Sequence, residues 1–193
     1  MNARLISLCL LLTAVSAHAE SFIIDSSHTL PVFEVNHLGF STQRGRFNET
    51  RGTLDLDRKT HTGRVSLTIQ TQSIDMGIAK WDEHMKSKDF FNTQEFPTAR
   101  FDADKFVFDG ETPVAAEGVL TLLGVSRPLR VRIDHFHCGE NPIVKKSVCA
   151  ADIETSLKRS EFGMTKYLPG VGDDVRILVP VEAFKVEPTP SNP

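Results

Sequence analysis

From Val32 onward, apolar and polar side chains alternate over long runs separated by turn residues, which is the period of strands that bury one face. Phe33, Val35 and His37 share one side of the first run, while Glu34 and Asn36 take the other. Leu54 and Leu56 alternate with Asp55 and Asp57, and Val65, Leu67 and Ile69 alternate with Ser66, Thr68 and Gln70. The same patterning returns over 99–108, 115–123, 129–133, 148–157 and 175–184, with glycine- and proline-bearing turns at 110–113 and 124–128.

The middle of the chain departs from this rhythm. Ile78, Trp81 and Met85 stand three and four apart among charged residues, which predicts one short amphipathic helix. The segment 89–97 carries Phe90, Phe91 and Phe96 without a clear period and reads as a loop that packs its aromatics onto the domain. About eight long strands with no β-α-β rhythm predict an all-β fold, an eight-stranded antiparallel up-and-down β-barrel with one short helical segment, because closure removes strand edges. A two-sheet sandwich is the competing architecture. A barrel of this size either fills its interior with side chains or leaves a tube for one ligand, and periodicity does not separate the two.

The N-terminus adds a compartment. Arg4, an apolar run from Leu5 to Val15 and Ala17-His18-Ala19 follow the order of a bacterial signal peptide cleaved after Ala19. The expected layout is therefore a leader over 1–19, one β-barrel domain over 20–186 and a proline-rich disordered tail over 187–193, with the product in the periplasm and not embedded in a membrane. With Cys9 in the leader, Cys138 and Cys149 remain as an even pair in an oxidising compartment, across a polar turn that a disulfide would staple. A formal net charge of −3 with scattered Lys and Arg gives no basic field for nucleic acid.

Motifs for catalysis are missing: no G-x-S-x-G, no H-E-x-x-H and no phosphate-binding glycine loop. The reading is accordingly a binding protein rather than an enzyme, with no cofactor. His135 and His137 share a strand face, and His28, His37 and His84 lie near polar residues, but no further ligand at motif spacing completes a metal set. Asp82, Glu83 and His84 could form an acid and base cluster on the helix, against which stands their reading as the helix's solvated face or its tie to the barrel rim. Thirteen Phe against one Trp and one Tyr favour apolar contact, in a solid core or around an apolar ligand.

Several stretches together are similar to the YceI-like proteins of bacterial periplasms. They include Asp25-Ser26-Ser27-His28, Phe33-x-Val35-x-His37-x-Gly39-Phe40-Ser41, Gly45-Arg46-Phe47 and His84-Met85-Lys86-Ser87-Lys88-Asp89-Phe90-Phe91. Phe96-Pro97-x-x-x-Phe101, Gly118-x-Leu120-Thr121-Leu122-x-Gly124-Val125, Arg159-Ser160-Glu161-Phe162-Gly163-Met164 and Val171-Gly172-Asp173-Asp174-Val175 follow in the same order. The resemblance implies a lipocalin-like barrel with a helix near its rim and a tunnel for a long isoprenoid lipid, quinone-like or a polyprenyl phosphate. Trp81 stands where an Arg often precedes the Asp-x-His segment, so no headgroup role carries over to that position. Members often dimerise, which allows a homodimer here, although no stretch of the sequence marks an interface.

The alternation then nominates Phe33, Val35, Leu54, Leu56, Val65, Leu67, Ile69 and Phe101 as tunnel lining, with Arg44, Arg46 or Lys80 near a headgroup at the mouth. A register slip of one residue would exchange this set for the outer face. One alternative is an isoprenoid-modifying accessory enzyme that uses Asp82, Glu83 and His84 near the mouth, and a filled barrel acting through its surface as a stress-related interaction protein is the ligand-free one.

Overall fold

A computed structural model describes residues 19–187 of the chain. The proposed leader therefore lies outside the described residues except for Ala19, and so does the tail beyond Glu187. The strands are β1 (Glu20–Ile24), β2 (Val32–His37), β3 (Ser41–Phe47), β4 (Thr50–Asp57), β5 (Thr62–Gln70) and a two-residue β6 (Ile74–Asp75). They continue, after helix α1 (Ala79–Lys86), with β7 (Thr98–Asp109), β8 (Thr112–Leu122), β9 (Val125–Glu140), β10 (Ser147–Lys158) and β11 (Val171–Lys185). Short 3-10 turns occupy Thr71–Ser73 and Arg159–Phe162.

Antiparallel pairing runs β1-β4-β5-β7-β8-β9-β10-β11 and returns from β11 to β1, a closed barrel of eight strands. The sandwich is excluded by that last pairing. Strands β2, β3 and β6 branch from the same β11 at the other end: β11 pairs with β1 through Ala183–Lys185 and with β2 through Val171–Leu178. Strands β1 and β2 are thus two halves of one bent edge, interrupted at 25–31.

The interruption is satisfied locally. Thr29, fully buried, accepts the Glu182 N–H through its hydroxyl at 3.2 Å, and the Thr50 hydroxyl donates to the Thr29 carbonyl at 2.7 Å. Pro180 sits in the stretch of β11 facing this gap, where a missing N–H breaks no ladder bond on that side. Pro128 is tolerated in the same way, since that part of β9 pairs only with β8. The turn expected over 124–128 is therefore shorter than expected: Leu123 and Gly124, both at positive φ, make a two-residue hairpin, and β9 already begins at Val125.

At the branched end β5 leaves the barrel after Gln70, and α1 with the 87–97 loop covers the opening. The helix has eight residues, too few to stand alone in water, and none of them is buried. It is anchored by Met85, which packs on a cluster containing Phe33, Phe47, Phe90 and Phe91. The Phe47 and Phe91 rings meet edge to face at 5.2 Å, and Phe33 lies about 6 Å from each. Gly45 makes this possible, since a Cβ there would collide with the Phe33 ring and Met76 Sδ.

The outer face is charged. Arg44 bonds Glu34 at 2.7 Å, Arg176 bridges Glu34 and Glu154 at 3.3 and 2.6 Å, and Arg132 continues the ladder to Glu154. Cys138 and Cys149 stand directly opposite in β9 and β10 and are joined as a disulfide.

Candidate functional site

Inside the barrel lie two cavities, one of about 370 Å³ at the branched end and one of about 160 Å³ in the closed ring. Pro31, Ile69, Leu120 and Ile177 line both, so the cavities meet at one girdle. The larger cavity falls in the size range of small-molecule sites, which are mostly apolar with a few placed polar groups.

The closed-ring cavity is apolar. Leu54, Leu56, Val65, Leu67 and Phe101 line it, opposite Val131, Ile133 and Val179, and no charged residue borders it. Its far end is crowded by Phe106 and Phe136, with Arg58 stacked over the Phe136 ring at 5.6 Å. Gly63 leaves room for that closure: a Cβ there would come within 2.8 Å of the Phe106 ring.

The branched-end cavity is larger because side chains close it in place of strands. Phe33 and Val35 enter it from β2, and Ile69 reaches it at the girdle. All eight residues marked by the alternation therefore face the interior. The reason is the pleat: with one face solvated by ion pairs, the apolar set has only the inside to occupy.

Arg44 and Arg46 do not reach the cavity. They point outward from β3 into pairs with Glu34 and Asp75, while Gln43, on the other face of the strand, turns inward. Lys80 is exposed on α1 and does not line the cavity.

The polar groups at the wide end are instead His37, Gln43, His84, Arg159 and Tyr167, with Trp81 beside them. Arg159 is the one charged group among them that is buried, at 4 % exposure. Its guanidinium donates to the carbonyls of Gly172 at 2.7 Å, Met164 at 2.9 Å and Val171 at 2.9 Å. These bonds tie the 163–170 loop to the start of β11 at the cavity wall. Burial lowers the Arg159 pKa, against the pull of Asp173, but a guanidinium stays charged at any physiological pH. Asp173 in turn accepts the Ser160 N–H at 2.9 Å and the Ser160 hydroxyl at 2.8 Å, which holds its carboxyl below the usual range.

Alternation does not reveal Arg159, which stands among the polar Lys158, Ser160 and Glu161. Its only sequence signal is the Arg-Ser-Glu-Phe-Gly stretch of the family resemblance.

The acid and base cluster on α1 is dispersed among structural tasks. Asp82 accepts the Met76 N–H at 2.6 Å, Glu83 pairs with Lys86 at 3.0 Å, and the His84 ring meets Phe90 edge to face at 5.0 Å. His135 bonds Asp152 at 2.9 Å on the exterior, at a bulge in β9. Asp25, His28 and Glu182 bring donor atoms within 4.8 Å of one another at the β1–β2 interruption, a grouping that residue spacing did not reveal. None of the three borders either cavity. His28 Nδ1 already engages Asp25 at 2.7 Å, and that hydrogen bond raises the His28 pKa. Burial works against ionisation of Asp25, yet hydrogen bonds from His28 and Ser27 outweigh it and keep its carboxyl below the ordinary value.

A closed eight-stranded barrel with an apolar interior and a helix at one end can be set beside known proteins. The model of the YceI-like domain matches residues 22–183. This chain belongs to the YceI-like family. A UPF0312 protein of Pseudomonas aeruginosa is 33 % identical over 180 residues, covering 91 % of this chain and 92 % of that protein. Protein YceI of Salmonella arizonae is 31 % identical over 179 residues, covering 91 % and 93 %. Among solved structures, Burkholderia cenocepacia BcnA aligns with TM-score 0.71 at 20 % identity, covering 82 % of this chain and 98 % of that one. A polyisoprenoid binding domain from Saccharophagus degradans, described as implicated in plant cell wall breakdown, aligns with TM-score 0.59 at 13 % identity, covering 88 % and 100 %. At those identities the two structures speak for the fold of this YceI-like protein. Among the described residues no helix is long and apolar enough to cross a membrane.

Proposed function

We propose that this YceI-like protein is a periplasmic carrier that holds a long isoprenoid or similar apolar lipid inside its barrel, with the chain running from the wide cavity through the girdle into the narrow one. The observation that carries this reading is the pair of joined cavities lined by apolar side chains, where a solid barrel would have had a packed core. Each buried CH₂ is worth about 0.8 kcal/mol, so a chain of many carbons needs such a sleeve to cross water. Apart from Thr155 in the narrow cavity, the polar groups sit at the wide end, so a quinone-like or phosphate headgroup belongs there, beside Gln43, His84, Tyr167 and the fixed charge of Arg159. The polyisoprenoid-binding neighbour of the same fold supports the choice of chain. The disulfide and the N-terminal leader pattern support the compartment.

The test is organic extraction and mass spectrometry of protein purified from the periplasm of its own organism, against a Leu67→Arg control. The expected result is one isoprenoid class enriched with the wild type and absent from the control. Equal lipid in both, or none in either, overturns the reading.

A further inference from the structure

All three exposed aromatic residues among the described residues lie around one opening. Phe40 is 90 % exposed, Tyr167 52 % and Trp81 44 %, and Leu38 and Ile78 beside them are also more than half exposed. Three separate segments present them. Leu38 and Phe40 form the tip of the β2–β3 turn, Ile78 and Trp81 begin α1, and Tyr167 belongs to the loop before β11. The segments are held together: the Leu38 N–H donates to the Gly170 carbonyl at 2.8 Å, and Tyr167 lies 6.1 Å from the His84 ring of α1. Trp81 and Tyr167 also line the wide cavity, so the rim is continuous with the apolar interior.

The β2–β3 tip is built against local preference. The Phe40 N–H closes on the His37 carbonyl at 3.0 Å, and the two residues between, Leu38 and Gly39, have φ of 56° and 74°. Such turns favour Asn-Gly, because a branched apolar residue at positive φ is disfavoured and gains nothing from a local hydrogen bond. Leu38 occupies the position nonetheless, and it is exposed. The other Leu-Gly turn, at Leu123, packs its leucine on the core. Only at the rim is the leucine turned out to solvent.

Charge at the rim leaves cations over. Glu83 pairs with Lys86, and Asp89 with Lys166 at 3.2 Å, which leaves Lys80 and Lys88, both exposed and without an ion pair among the described residues, against the single charge of Asp82, whose carboxylate accepts only the neutral Met76 N–H. Tryptophan, tyrosine and flanking lysine are the residues that favour the boundary between headgroups and hydrocarbon. We infer that this rim docks on a phospholipid bilayer, with Phe40, Leu38 and Trp81 inserted at the headgroup boundary and Lys80 and Lys88 facing lipid phosphates, so that the barrel opens onto the membrane. The inference extends the carrier reading, since a chain too apolar for water must enter where the opening meets lipid.

Flotation with phosphatidylcholine vesicles, with and without phosphatidylglycerol, tests it. The mature wild type is expected to float with both, a few-fold better with the anionic lipid, and the emission of its single tryptophan, Trp81, is expected to move to shorter wavelength. The double variant Leu38→Asn, Phe40→Ser is expected to partition about a hundredfold more weakly, about tenfold for each lost apolar side chain. Its thermal midpoint should be unchanged or raised, because Asn accepts positive φ and Phe40 touches little. A wild type that stays unbound, or a variant that floats equally well, overturns the inference. So does a wild type that is dimeric without lipid when the variant is monomeric, because the rim would then cover a second copy of the chain. Neither residue lines a cavity, so the two readings fail separately: a lipid-free barrel that floats sinks the carrier, and a lipid-filled one that does not float sinks the docking.

Discussion

In the narrow half of the barrel every strand edge is taken by another strand, from β1 round to β11 and back. In the wide half β5 turns away after Gln70, and Phe90, Phe91 and α1 fill the place a strand would hold. The first arrangement leaves little space and admits no polar group to its lining beyond Thr155. The second leaves more than twice the volume and brings in Gln43, His84, Arg159 and Tyr167. Closure by backbone hydrogen bonds makes a dry, rigid tube, whereas closure by side chains makes a roomier chamber that can carry chemistry and can open.

Leu67→Arg should distinguish the halves most severely. Leu67 is 9 % exposed in the narrow cavity, where no carboxylate lines the wall to receive a guanidinium. Urea unfolding should show a loss of about 4 kcal/mol or more, the cost of an unpaired buried charge after relaxation. A loss below about 1 kcal/mol would mean that the narrow half is open to water.

Arg159→Met should act on the wide half alone. It leaves the carbonyls of Met164, Val171 and Gly172 without their charged donor. The expected cost is about 3 kcal/mol. Hydrogen exchange should quicken through the 163–172 segment and stay unchanged across the β9–β10 hairpin. An equal rise in both would remove the distinction between the halves.

Reduction of Cys138–Cys149 should act on the narrow half alone and more gently. Its partners are 11 residues apart, so loop closure is worth about 2–3 kcal/mol in the chain-entropy model. Urea midpoints with and without reductant measure it. Bound lipid, if it spans both cavities, should remain.

The smallest effect is expected from pH at the Asp25–His28 pair, which joins the halves. His28 is raised above 6.5, so its contribution is complete below that value and is lost as pH rises through the higher folded value. Asp25 is lowered below 3.8, so its contribution is complete above that value and is lost as pH falls through the lower folded one. Both are present between about pH 4 and 6.5. A His28→Gln variant should be less stable than wild type in that window and converge with it in alkali; a constant difference at all pH values would mean the pair is not electrostatic.

The narrow half was the more legible in the sequence. Leu54, Leu56, Val65 and Leu67 alternate with Asp55, Asp57, Arg64 and Ser66, and a period of two with one charged face leaves a single way to point the apolar set. The helix was legible too, since Trp81 and Met85 of the spaced apolar set lie within Ala79–Lys86 and Ile78 immediately precedes it. The wide half was not, because its form depends on contacts between segments distant in the chain. Nothing local announces that β11 would pair with β1 at one end and β2 at the other, or that Thr29 would fill the break between them. Arg44 and Arg46 looked suited to a headgroup only until register placed them outside with Glu34 and Asp75. Arg159 carries no local mark of burial, because its partners are backbone carbonyls, which a sequence does not distinguish.

The most direct measurement is electron density inside the barrel in a crystal of the protein purified from its own organism without delipidation. The account predicts one continuous, unbranched feature passing the girdle at Ile69, Leu120 and Ile177, with its bulky end in the wide cavity near Arg159 and Tyr167. Separate water peaks in the two cavities, or a headgroup lodged beside Phe106 and Phe136 at the narrow end, would contradict it.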